Sequence, residues 1–139
     1  MTSTDTKPGT VTLSTTATLH ENPVAILPLG SHGPFDDQGR LVHAEDPAAQ
    51  LALALAGIEA SVTAAGLSPA DLAQLRVSAT DLPAVLAVID TLTDRLTEVG
   101  ATPALSVIGV AALPVEGALV DLDGLALGTP GQPDRSGRI

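Results

Sequence analysis

The sequence predicts an α+β fold, a mixed β-sheet with two amphipathic helices over one face. Two segments repeat apolar residues at helical spacing, Leu51/Leu55/Ile58/Val62 and Val85/Ile89/Leu92/Leu96/Val99. Alternating or apolar segments of strand length flank and separate them. The chain has 139 residues, 45% of them hydrophobic, which suits one domain with a real core.

The elements follow in order. Residues 1–10 read as a flexible N-terminal arm. Val11 to Thr18, "VTLSTTAT", alternates as a half-buried strand, and His20 to Pro23 forms a turn. "VAILPLG" (24–30) is a second strand, where Pro28 marks an edge or a bulge. Residues 31–42 form a loop, with Asp37-Gln38-Gly39 its strongest turn signal. Asp46 then caps a helix whose first residue is Pro47, and Gly66 closes it. A helical turn leads into a strand from about Leu75 to Thr80. A second helix starts near Asp81-Leu82-Pro83 and ends at Gly100.

Two apolar strands within "PALSVIGVAALPVEGALVDLDGLA" (103–126) are joined by a Pro/Glu/Gly turn, and Asp121 and Asp123 place charge inside the second. Residues 11–127 thus make a single domain. The Gly/Pro-rich stretch 128–139 reads as a disordered tail. Val107 and Val110 are an odd number of residues apart and fall on opposite strand faces. Both are apolar, so the strand is expected to be buried on both sides. A homo-oligomer packing sheet faces around an axis would achieve that.

Composition excludes several function classes. The net charge is −10, from 16 acids against 6 bases, which argues against nucleic acid and against an anionic membrane surface as partner. With no cysteine, thiol catalysis, disulfides and thiolate metal sites are out. His20, His32 and His43 lack metal-ligand spacing, so no metal is expected. There is no phosphate-binding glycine loop and no nucleophile elbow, so no cofactor is expected either. The polar N-terminus offers no signal region, and the longest apolar run, near Leu51 to Leu55, reads as too short to span a bilayer. The chain reads as cytoplasmic. It has one Phe and no Tyr or Trp, so Ala, Leu and Val must fill the core.

Four pieces between 24 and 127 resemble the YjgF/Rid (reactive intermediate deaminase) family, also labelled endoribonuclease L-PSP. They are "GSHGPFDDQGRLV", "DPAAQLALALAGIEASVTAAGLSPADL", "VSATDLPAV" and "TPALSVIGVAALPVEGALVDLDGLA". Their order and spacing together carry the resemblance. It implies a chorismate-mutase-like α+β fold and a homotrimer whose sheets form a central barrel with the helices outside. Three intersubunit clefts would hydrolyse enamines or imines to ketones and ammonia. In the family an Arg on the first strand of the closing hairpin grips a substrate carboxylate, and a Glu on the last strand helps position water.

This chain departs from that pattern. The resemblance puts Leu105 in place of the Arg, Leu29 in place of a Ser, Ser31 in place of a Gln and Gly57 in place of a helix Asn. The family's N-terminal Tyr has no counterpart. Asp121 replaces the last-strand Glu, and Gln50 is kept. Losing the Arg removes a charge-assisted contact worth about 1.5–3 kcal/mol to a substrate carboxylate.

Asp121 is therefore the leading acid/base candidate. Flanked by Val120 and Leu122 and expected near Leu29 and Leu105, it would be partly desolvated. The bland alternative is a solvated carboxylate at a subunit seam. His32, in the glycine-flanked "GSHG", is the second catalytic candidate; its alternative is a surface loop histidine. Ser31 and Ser106 would offer hydroxyls to a substrate, or serve only the turn and strand they sit in. The expected function is small-molecule acid/base chemistry on an apolar substrate: enamine or imine hydrolysis, tautomerisation, dehydration or cyclisation. The alternative is a non-catalytic trimer that binds a small ligand or a protein. The ribonuclease label fits poorly with an acidic chain that lacks stacking aromatics.

Overall fold

The computed structural model describes residues 6–7, 10–14, 17–23 and 25–131. A small antiparallel sheet is formed by β1 (Thr6–Lys7), β2 (Thr10–Ser14) and β3 (Ala17–His20), in that order. The single strand expected over Val11–Thr18 is thus a hairpin, with Val11 opposite Leu19 and Thr12 opposite Thr18. Period-2 alternation is the same for one long strand as for two short arms, so the sequence pattern could not separate them. The expected arm and tail fall largely outside the described residues. Of the arm, Thr6–Lys7 and Thr10 lie in strands, and Gly128 ends the last strand.

The main sheet holds β4 (Ala25–His32), β5 (Leu72–Ala79), β6 (Ala104–Gly109) and β7 (Val120–Gly128), in the spatial order β4-β7-β5-β6. β5 and β6 are parallel, and the other pairs are antiparallel. The sheet is therefore mixed, as expected. The closing hairpin is not there: β5 lies between β6 and β7. A helical crossover between β5 and β6 allows parallel pairing, which commits one edge of β5 to β6 and leaves its other edge to β7.

Helix α1 (Pro47–Ala64) begins as the sequence predicts, with the Asp46 carboxylate accepting from the Ala49 N–H at 3.0 Å. Ala65 caps its end, and Gly66 follows at φ +85°. Leu51, Leu55, Ile58 and Val62 are all buried. At 18 residues and a mean hydropathy of 1.2, α1 does have the length and composition to cross a membrane, which corrects the reading of its apolar run as too short. Here that stripe belongs to the core cluster it shares with the sheet.

The second expected helix is two, α2 (Leu82–Leu86) and α3 (Asp90–Glu98). Between them the chain tightens into i→i+3 bonds, Thr91 N–H to the Val88 carbonyl and Leu92 N–H to that of Ile89. The apolar stripe survives the break, because Val85, Leu92, Leu96 and Val99 are buried and Ile89 packs against the same core.

The core lies between the helices and one face of the sheet. Leu75, Val77 and Ala79 of β5 and Val120, Leu122 and Ala126 of β7 point into it. Gln74, Arg76 and Ser78 alternate with them and point to the opposite face. On that open face Arg76 pairs with its cross-strand partner Asp123 at 3.0 Å. β6 ends at Gly109, so Val110 is not part of a strand, and the argument from Val107 and Val110 falls. The apolar groups on the open face include Ile26, 64% exposed, and Ile108, 39% exposed.

Candidate functional site

The site is built by an irregularity in β4. Leu29 pairs with Gly124 and His32 with Leu122, so three steps along β4 match two along β7. That extra residue is a bulge, which re-aims the side chains around it. Leu29 and His32 both take helix-side positions, and Ser31 turns to the open face. There the Ser31 hydroxyl donates to Asp121 Oδ1. Asp121 is half-buried and sits opposite Ser78 of β5.

A pocket of about 100 Å³ surrounds this pair. Its other walls are Phe35, Val120 and the loop residues Leu113, Pro114, Val115 and Ala118. The lining is apolar apart from Ser31 and Asp121, so a charged group placed there has the carboxylate as its partner.

Buried Gln50 of α1 holds the loop wall. Its Nε2 donates to the His43 and Gly117 carbonyls, both at 3.1 Å, and its Oε1 accepts from Leu119 N–H at 2.7 Å. One side chain thereby ties both loops that flank the pocket to the core helix.

The structure brings together two of the expected site residues, Ser31 and Asp121. His32 points the other way. Its Nδ1 lies 2.7 Å from the Gly30 carbonyl and its Nε2 2.7 Å from Ser61 Oγ on α1. The carbonyl only accepts, so Nδ1 carries the hydrogen, and in the neutral ring Nε2 accepts from Ser61. The ring rests beside Gly57, where a Cβ would be 3.4 Å from His32 Cδ2. Leu29 is a core residue, 6% exposed. Leu105 is half-buried against that core, paired in register with Leu75. Ser106 is exposed on the open face opposite Arg76, with β5 between it and Asp121.

The sequence reading missed Phe35 and the 113–118 loop as pocket walls. Phe35 carried one available signal, as the chain's only aromatic side chain. The loop carried none, because its place over Asp121 follows from the strand order. Among the described residues, no group of three or more His, Asp or Glu could hold a metal ion.

A mixed sheet with helices on one face and a small apolar pocket around a hydroxyl–carboxylate pair defines an α+β protein with room for a small organic group. The comparisons narrow this class. The family model described as Endoribonuclease L-PSP matches residues 25–127. Among solved structures, the chain is similar to YyfB of Yersinia pestis, described as a protein of unknown function of the conserved Rid family. That match has 28% identity over 78% of this chain and 83% of that one, at a TM-score of 0.71. It is also similar to the YjgF gene product of E. coli, at 27% identity over 86% and 85% of the two chains and a TM-score of 0.67. E. coli TdcF, solved with bound serine, matches at 25% identity over 87% of each chain and a TM-score of 0.68. No curated protein matches the chain. The chain belongs to the YjgF/Rid family.

Proposed function

We propose that this chain is a divergent YjgF/Rid enzyme that hydrolyses small apolar imines, with Asp121 as the general base. The observation that carries this reading is the Ser31–Asp121 pair inside an apolar pocket. A protonated imine is a cation with an apolar body. A lone carboxylate among aliphatic and aromatic walls complements both features.

The chemistry follows from the geometry of the pair. Ser31 donates to Oδ1, which fixes the carboxylate and leaves Oδ2 for a water. Oδ2 takes a proton as the water oxygen attacks the imine carbon. Oδ2 then returns that proton to the carbinolamine nitrogen, the C–N bond breaks, and the hydroxyl proton passes to the departing ammonia, giving ammonium and a carbonyl compound. A substrate carboxylate would be repelled by Asp121 and would find no cation in the pocket lining. The same charge argument, with a net −10 over the chain, disfavours RNA.

In this reading the protein is a homotrimer in a bacterial cytoplasm. Its open sheet faces close a barrel, and it serves a biosynthetic pathway. The second reading is a trimer that binds a small ligand or a protein without turnover. It is favoured by the position of His32, which is held by Gly30 and Ser61 rather than aimed at Asp121.

Imines released in situ from short primary amines by an amine oxidase provide the test. The readout is acceleration over spontaneous hydrolysis. Asp121→Asn is expected to lose about 100-fold or more of that acceleration, the range a positioned general base supplies. An Asn variant as fast as wild type would overturn the proposal. A wild type that binds without accelerating hydrolysis would select the second reading.

A further inference from the structure

Phe35 lines two separate cavities. One is the pocket of about 100 Å³ that holds Ser31 and Asp121. The other is a wide, solvent-open hollow of about 500 Å³ in the loop after β4, bounded by Asp36, Arg40, Val42 and Leu53 among others. Phe35 is the one residue common to both linings.

The ring is held in place from several sides. It lies over Gly33 so closely that a Cβ there would collide with it. Phe35 N–H bonds the Gly33 carbonyl at 3.0 Å, and Phe35 bridges Leu41 across the loop. The next residue, Asp36, accepts from the Gln38 and Arg40 N–H groups, each at 2.9 Å, and from Arg40 Nε at 3.0 Å. Val42 N–H bonds the Pro34 carbonyl at 3.0 Å. A loop tied this way keeps its shape when one side chain is trimmed.

We propose that Phe35 sets the length of the apolar group accepted beside Asp121, by walling the pocket off from the larger cavity behind it. The inference rests on the reading of Asp121 as the group that meets a cationic substrate. It makes Phe35 a specificity residue that takes no part in proton transfer. With the ring in place, the pocket admits a few carbons. With the ring removed, the two cavities join and a longer chain passes through.

The probes are straight-chain primary alkylammonium ions from propyl to octyl, whose charge matches a protonated imine, titrated by isothermal calorimetry. Wild-type affinity is expected to stop rising after the shortest chains. In Phe35→Ala it should keep rising by about four-fold per added carbon, the change that burying one methylene produces. Phe35→Leu should fall between the two. If Phe35→Ala does not fold by circular dichroism, Phe35→Leu alone decides. The same length profile in the folded variants as in wild type overturns the inference, as does a wild type that binds no chain of any length. Asp121→Asn separates the two readings. Binding that survives Asp121→Asn while the length profile still moves with Phe35 keeps the wall and removes Asp121 as the partner of the substrate's charge. Binding lost with Asp121→Asn but blind to Phe35 does the reverse.

Discussion

Replacing Gln50 with Leu should destabilise the protein by about 3 kcal/mol. Gln50 is fully buried and makes three hydrogen bonds, to the His43 and Gly117 carbonyls and from Leu119 N–H. Each bond contributes about 0.5–1.5 kcal/mol net, so the three together give about 1.5–4.5 kcal/mol. Leucine has nearly the same volume and leaves little cavity. The loss is then that of the bonds, partly offset where water reaches the loop carbonyls. For a chain of this size the drop corresponds to a Tm shift on the order of 10 °C. The assay is urea unfolding followed by circular dichroism, at one fixed protomer concentration because assembly would add to apparent stability. Gln50→Glu is the control. It keeps an acceptor for Leu119 N–H but faces two carbonyls with an oxygen, so it should be at least as damaging at neutral pH. A Gln50→Leu variant within about 0.5 kcal/mol of wild type, less than the weakest sum of those bonds, would refute the reasoning.

Three further outcomes are expected. Gly117→Ala should be more harmful than Gly39→Ala when both are compared by thermal melting. Both glycines have positive φ, +88° and +77°, a strain of about 1 kcal/mol for alanine, but only at Gly117 would the new Cβ also meet Leu41 Cδ2, at 2.7 Å. Gly57→Ala should stabilise by about 0.5–1 kcal/mol in urea unfolding, since it lies inside α1 and its Cβ would make ordinary contact with the His32 ring. The Arg40 N–H bond, aided by those of Gln38 N–H and the Arg40 side chain, holds the Asp36 carboxyl below its ordinary value of 3.8. A lowered carboxylate stabilises the fold above the unfolded value and loses that contribution as pH falls through the folded one. Asp36→Asn should therefore be less stable than wild type at neutral pH, with the gap closing below about pH 3.8 in melts taken at stepped pH.

The parts of the fold legible in the sequence were those set by neighbours along the chain. Asp46 before Pro47, the stripe from Leu51 to Val62, and Gly66 after the last turn each report a local requirement of a helix, and α1 meets all of them. The strand order was not legible, because the insertion of β5 between β6 and β7 depends on pairing over a long stretch of chain. The site divides the same way. Asp121 could be picked out as a charge inside an apolar strand. His32 could not be assigned a face, because one bulge residue between Leu29 and His32 inverts the parity on which such a reading depends.

The order β4-β7-β5-β6 also has a consequence for synthesis on the ribosome. Of the described strands, β7 comes last along the chain, yet it is an inner strand with β4 on one side and β5 on the other. Until it emerges, the edges of β4 and β5 that it pairs stay open, and Val120, Leu122 and Ala126 are missing from the core. It cannot close its sheet in stages from the N-terminus, and the early strands must wait for Val120–Gly128. Such waiting edges invite pairing with other chains. A stop codon placed just before Val120 would therefore leave open, sticky halves rather than a shortened but folded protein.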